Sequence, residues 1–373
     1  MEPLITHRVP WRDAVGVYER VVRDKAQDSL GIVIDWRQSP RVHHPPHPFS
    51  KGVVEPMKGI QIVAPRTTKL VGVPVPQIAD DEVLVKVKAC VTCAHWDMTI
   101  YRGVDIFERP GYPKYPIPVG YPGHEMSGEV VEVGPAVTKF AVGDRVASVV
   151  TGGEHVMGFY VEYINRPQDT IAKVPDNVSD DAAASLEMSR YVASHLSVLD
   201  VRGLRTAVVG LGSAGLIALQ ELKGMGAGEV LAVDVIDDRL ALARQLGASG
   251  TINSAKPEEL QQLKDQPLQA SVDCTGAAAG LQIALDHTHG PVVMYGVVHG
   301  DAVISTRHWS AGTYIPKRKS PDAQDTAFVQ TLWRNGQLDT EKLIGARLPF
   351  EEYAKGIEML MDKQAVRVLY YPG

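Results

Sequence analysis

Cysteine is scarce in this chain: three among 373 residues, Cys90, Cys93 and Cys274. An odd, sparse set argues against a disulfide framework and for a reducing, cytoplasmic compartment. It also leaves too few thiols for a four-cysteine structural metal site. Long apolar runs are missing too, none approaching the ~20 residues needed to span a bilayer. The opening MEPLITHRVPWRDAVGVYERVVRDK mixes both charge signs and lacks the apolar centre of a secretory signal. Positive charge is not in excess either. At a net charge of −6, neither nucleic acid nor an anionic membrane is an expected partner. What remains is a globular composition, 45% hydrophobic, over a length that suits two domains.

Residues 1–56 read as an N-terminal extension. RQSPRVHHPPHPFSKG (37–52) within it is rich in proline and histidine, and reads as a solvated connector rather than a metal site. From Met57 the texture is that of short strands: KGIQIV, KLVGVPV, DEVLVKVKAC and GEVVEVGPAVTKFAVGDRVASVV carry β-branched residues separated by turn signals. This region predicts a mostly β, barrel-like domain. Ser179-Asp180-Asp181 then caps a predicted helix over AAASLEMSRYVASHLSVL. Beyond it strands and helices alternate: TAVVGLG, a helix to about Met225, EVLAVDV, DRLALARQLGA, then SGTIN, SVDCTG and PVVMYGVV. Such alternation predicts a doubly wound parallel sheet covered on both faces. The ending EEYAKGIEMLMDKQAVRVLYY reads as a helix and a last strand.

TAVVGLGSAGLIALQELKGMGAGEVLAVDV is the most specific stretch. An apolar strand runs into Gly210-Leu211-Gly212-Ser213-Ala214-Gly215, and a helix follows at once. Gly210 permits a tight turn, Gly212 lets backbone approach a pyrophosphate, and Gly215 lets helix and strand pack closely. The helix N-terminus offers free N–H groups and a positive dipole end to the phosphates. A second strand ends at Asp234, whose carboxylate suits ribose hydroxyls and repels a 2′-phosphate. The nearest following arginine, Arg239, falls in the next helix. The predicted cofactor is NAD rather than NADP.

GHEMSGEVVEVG (123–134) with VGDRV (142–146) resembles the zinc-site signature of the medium-chain dehydrogenase/reductase family. KACVTC (88–93) resembles that family's first-ligand segment, and GFYVEY (158–163) looks like the strand that follows. With the glycine loop and the ending LPFEEYAKGIEML, the resemblance runs over about residues 57–373. Alcohol, polyol and threonine dehydrogenases are the nearest-looking branches. The resemblance implies an α/β fold: a GroES-like β-barrel catalytic domain, residues 57–190 completed by 325–373, plus a doubly wound parallel Rossmann domain over 191–324. It implies one catalytic Zn2+ and no structural zinc, hydride transfer between an alcohol or its carbonyl product and NAD, and a homodimer or homotetramer.

Carried over residue by residue, the resemblance implies that Cys93 and His124 bind the zinc. Glu125 becomes a nearby carboxylate able to exchange with the metal's water, and Glu187 the third ligand. Cys93-Ala94-His95-Trp96-Asp97 is one residue longer than the family pattern and lacks its hydroxyl. Aligned on Asp97, Ala94 takes the ligand position instead; aligned on KACVTC, Cys93 keeps it. His95 is the substitute proton relay or a packed side chain. Counting back from His195 puts Met188, not Glu187, at the third-ligand position. Arg367 resembles a coenzyme-contacting position, Cys274 reads as a buried thiol near the nicotinamide, and His155, Tyr160 and the aromatic 101–121 segment are candidates for the pocket wall. Two other readings stay open: a zinc-free quinone or enone reductase using NAD(P)H, and a non-catalytic NAD-binding protein whose extension binds a partner.

Overall fold

The computed structural model describes residues 7–10, 32–35, 56–105, 107, 109–149, 158–309, 313–315 and 320–373. The chain divides into two compact units, Met1–Glu55 and Pro56–Gly373. In the first, β1 (His7–Pro10) and β2 (Ile32–Asp35) pair in parallel. The proline- and histidine-rich connector lies outside the described residues.

The second unit opens on an antiparallel hairpin of β3 (Met57–Ala64) and β4 (Thr67–Val73). β5 (Glu82–Val91) follows, its Val83, Leu84, Val85 and Val87 all buried. α1 (Ala94–Arg102) starts directly behind it, with Cys93 as N-cap residue and Gly103 as left-handed C-cap. β6 (Met126–Val133), β7 (Arg145–Ser148), β8 (Tyr163–Pro167) and β9 (Ile171–Lys173) complete the early strands. GFYVEY enters β8 only at Tyr163; the residues before it form irregular backbone around a single bridge from Val161 to Gly59. The helix expected after Ser179 is broken. Ser179 Oγ caps a short turn over Asp180–Ala183 by accepting from the Ala182 N–H, and α2 (Leu186–Leu196) starts afresh behind Ser185.

The alternating half runs β10 (Arg205–Val209), α3 (Ser213–Gly224), β11 (Glu229–Asp234), α4 (Asp237–Gln245), β12 (Gly250–Asn253), α5 (Pro257–Asp265), β13 (Ala270–Asp273), α6 (Ala278–His287), β14 (Pro291–Met294) and β15 (Thr313–Ile315). All its strand pairs are parallel, in the order β12-β11-β10-β13-β14-β15. That order is the doubly wound one, with a reversal point beside the first strand. α7 (Ala323–Arg334) follows, opened by a reciprocal cap between Asp322 and Asp325. It packs on both α2 and α3, and one apolar cluster joins Leu186, Val192, Leu219, Leu222 and Trp333. The polypeptide then returns to the first sheet through β16 (Ile344–Pro349), α8 (Tyr353–Met361) and β17 (Arg367–Tyr371). Among the described residues that sheet has the order β16-β17-β5-β6-β7-β9, with β8 also on β5. Two register shifts between β5 and β6, at Leu84/Val85 and Val87/Ala89, bend the strand. No described helix is long and apolar enough to cross a membrane.

Candidate active site

A cleft of about 890 Å³ is lined at once by Cys93, His124 and Glu187 from the antiparallel half and by Gly210, Gly212, Asp234, Cys274 and Tyr295 from the parallel half. The second group sits at the C-terminal ends of β10, β11, β13 and β14, where open α/β sheets take their ligands.

The glycine loop is built as its residue types require. Gly210 has φ +91°, and a Cβ there would come within 2.7 Å of the Thr275 side chain. A Cβ on Gly215 would lie 1.8 Å from the Gly210 carbonyl oxygen, so helix and loop touch only because residue 215 is glycine. A Cβ on Gly212 would meet nothing within 4 Å. The protein itself does not require glycine there; space for an approaching ligand does. No side chain caps α3, which leaves the N–H groups of its first turn, from Ser213, Ala214 and Gly215, for an anion. Asp234 is doubly engaged: Oδ2 accepts from the Leu211 N–H at 2.6 Å, and Oδ1 from the N–H groups of Val235 and Ile236 at 2.8 and 2.9 Å. It therefore ties the loop to the strand end as well as lining the cleft. Arg239 lines the same end, 3.9 Å from Asp234.

At the other end one donor atom each from Cys93, His124 and Glu125 lie within 4.8 Å of one another. His124 Nδ1 is 2.9 Å from the Pro122 carbonyl. A carbonyl only accepts, so Nδ1 carries the hydrogen, and in the neutral ring Nε2 is the nitrogen with the lone pair. Asp97 Oδ2 accepts from the Cys93 N–H at 3.0 Å, while Asp97 Oδ1 is held by the buried hydroxyls of Tyr160 and Tyr353. Burial raises the Cys93 thiol, with His124 pulling it back. For His124 burial acts downward, yet Cys93 and the carboxylates outweigh it and the net direction is up. Glu187, at 5% exposure, is pushed up to about 7 by burial against the pull of His124.

Thiol, imidazole and carboxylate at this spacing suit a tetrahedral metal ion, whose ligand atoms stand ~3–4 Å apart. Glu125 Oε1 has no hydrogen-bond partner although fully buried, which is the mark of an incomplete shell. Glu187 lines the cleft but is not in the donor group. Met188 lines it as well. Ala94, the alternative ligand position, offers no donor atom. His95 is exposed on the cleft wall, its ring 6.1 Å from that of His299.

Other expected residues stand elsewhere. Arg367 does not line the cleft; it is fully buried, with Nη2 2.5 Å from Glu125 Oε2, two bonds to the Thr92 carbonyl and one to Ser185 Oγ. Tyr160 is not a wall residue either, because its hydroxyl is spent on Asp97 in the core. His155 lies outside the described residues. Cys274 is half-buried in the cleft, its thiol raised by burial. Of the aromatic 101–121 segment, Phe107 and Tyr121 line the cleft. Two further wall residues carried no signal of their own in the sequence: Trp96 and Tyr295. Tyr295 follows directly on β14, a strand-end position that the alternation alone marks as ligand-facing.

The chain matches the alcohol dehydrogenase GroES-like domain over residues 79–176 and the zinc-binding dehydrogenase domain over 214–319. The two together cover more than half of it. L-threonine 3-dehydrogenase of Francisella philomiragia is 26% identical over 337 residues, spanning 79% of this chain and 93% of the relative. That of Pseudoalteromonas atlantica is 26% identical over 326 residues, with the same shares covered. Among solved structures, 2R,3R-butanediol dehydrogenase from Bacillus subtilis superposes with a TM-score of 0.75 at 23% identity, covering 85% of this chain and 100% of that one. Galactitol-1-phosphate dehydrogenase from Escherichia coli gives 0.73 at 23%, covering 85% and 100%. Both share the fold described above. Two consecutive domain matches in family order, on a GroES-like sheet followed by a Rossmann sheet, establish that the chain belongs to the zinc-dependent medium-chain dehydrogenase family of oxidoreductases.

Proposed function

We propose that this protein transfers a hydride between an alcohol and NAD with one zinc ion at Cys93 and His124. The observation that carries the reading is the sharing of one cleft by the Cys93–His124–Glu125 donor group and the glycine loop. When bound, NAD supplies the hydride acceptor and zinc the Lewis acid. In this reading the first turn of α3 and the open backbone at Gly212 hold the pyrophosphate. Asp234 takes the adenosine ribose hydroxyls, with its carboxylate disfavouring a 2′-phosphate. Cys93, His124 and one of the carboxylates Glu125 and Glu187 hold the metal, leaving one position open to substrate. Oxidation removes a hydride from the carbinol carbon and a proton from its oxygen. His95, the exposed imidazole on the cleft wall, is the group through which that proton reaches solvent. Three free thiols support a reducing, cytoplasmic setting.

Elemental analysis of protein purified without chelator, beside Cys93→Ser, tests the reading together with an NADH titration. It expects about one zinc per chain, markedly less in C93S, and unchanged NADH binding in both. Zinc-free parent protein that still binds NADH would replace it with a metal-free reductase of enones or quinones.

A further inference from the structure

We infer that the substrate is an uncharged alcohol, or its aldehyde or ketone, carrying an aromatic or branched apolar body; this rests on the hydride-transfer reading above. Trp96 follows the donor Cys93 in the first turn of α1 and lines the cleft. Its ring packs against Phe107 at 5.9 Å between centroids and against Tyr121 at 6.4 Å, and both of those also line the cleft. Trp96 meets Tyr121 edge to face and Phe107 at a tilt of 58°. They form a continuous apolar wall, not a ring of separated faces around a cation. Phe107 is 56% exposed, so a large apolar surface stands open beside the donor group, the kind of surface a ligand covers. The polar tip of Tyr121 is turned to Tyr112, 3.1 Å between hydroxyls.

Charge points the same way. Arg109 lies over Phe107 and Tyr112, 5.6 and 4.0 Å from their ring centres. Its guanidinium is held bidentately by Asp105, at 2.6 and 3.0 Å. Hydrogen bonds from Arg109 bring the Asp105 carboxyl down to about 2, so this pair is charge-balanced. Among the described residues lining the cleft, arginine and lysine occur only as Arg239, next to Asp234, and Lys363, exposed beyond the end of α8. Glu125, at the donor end, is already paired with Arg367, which is buried and does not line the cleft. Arg109, the cation stacked on the wall, is already held by Asp105, so a substrate carboxylate or phosphate there would lack an uncommitted partner on the wall, which a buried anion tolerates poorly. A polyol would leave its hydroxyls against aromatic rings.

The test uses the zinc-loaded full chain. With NAD, kcat/KM is compared for cinnamyl alcohol, sorbitol, L-threonine and choline. In parallel N-benzylformamide, a neutral non-reducible aldehyde mimic, is titrated calorimetrically with and without NADH into the parent, W96A and F107A. Cinnamyl alcohol should exceed the other three at least tenfold. Each variant should weaken N-benzylformamide about tenfold and leave NADH affinity unchanged; Phe107 is exposed, so F107A keeps the fold even where W96A does not. Preference for threonine, sorbitol or choline, or equal N-benzylformamide affinity in the parent and F107A, overturns the inference. Loss of zinc or of NADH binding in the parent would instead overturn the hydride-transfer reading, and the Phe107 dependence of N-benzylformamide binding would still decide this one.

Discussion

Arg367 Nη2 stands 2.5 Å from Glu125 Oε2, with both side chains fully buried. The same guanidinium also donates to the Thr92 carbonyl and Ser185 Oγ, so one side chain from β17 braces the β5 end that leads to Cys93 and the start of α2 that carries Glu187. Removing one member of a buried ion pair strands the other charge, at a cost of about 3–5 kcal/mol. Arg367→Met should therefore destabilise the chain by that amount in denaturant unfolding, and E125Q/R367M should recover part of the loss. A single variant as stable as the parent would mean that Glu125 finds its compensation elsewhere.

Gly212 and Gly215 separate ligand from fold. Alanine at 212 meets nothing within 4 Å, so G212A should unfold at the parental denaturant midpoint yet bind NADH at least tenfold more weakly. Alanine at 215 would drive a methyl to 1.8 Å from the Gly210 carbonyl, and overpacking against backbone should remove about 3 kcal/mol or more of stability. Normal NADH affinity in G212A would place the pyrophosphate elsewhere.

Asp234 decides the coenzyme under the proposed function. Asp234→Ser keeps one acceptor for the Leu211 N–H and removes the charge that repels a 2′-phosphate, with Arg239 beside it. The KM for NAD should rise ~10–100-fold and that for NADP should fall, as steady-state kinetics with both coenzymes will record. A parent enzyme that already favours NADP would reverse the assignment.

Glu221, on α3, is fully buried with both carboxylate oxygens unpartnered, and burial, helped by Asp325, raises it well above the ordinary carboxylate range. A raised folded-state value means that the folded chain holds this proton while the unfolded chain releases it. Stability is thus lost as pH climbs above the unfolded value of ~4.3 and continues to fall up to the raised folded one. Glu221→Gln should melt a few degrees above the parent at pH 8, in line with about 1–2 kcal/mol. The gap should close toward pH 4.5. Calorimetric scans at the two pH values check this, and a gap that widens at acid pH would contradict it.

The glycine loop was legible because its constraint is local. A strand, a turn that only glycine can make and a helix start are contiguous, so residue type alone specifies them. His124 and Glu125 were legible for the same reason, adjacent between glycines in one short segment. The helix break at Ser185 was not, since the apolar spacing of AAASLEMSRYVASHL continues through it. Whether a serine interrupts such a run depends on what its side chain meets, here the guanidinium of Arg367.

Sequence by itself therefore determined the doubly wound half, the β-rich half before it, and the residue types proposed to meet nucleotide and metal. All are properties of short windows: side-chain period, glycine, the carboxylate at a strand end. Only the tertiary structure decided that Arg367 turns inward to Glu125, that Tyr160 holds Asp97 instead of facing the cleft, and that Trp96, Phe107 and Tyr121 make one wall. Those are pairings between residues far apart along the chain, and burial selects them. A charge or hydroxyl taken from water must find whatever partner the packing brings, and composition does not say which one that is.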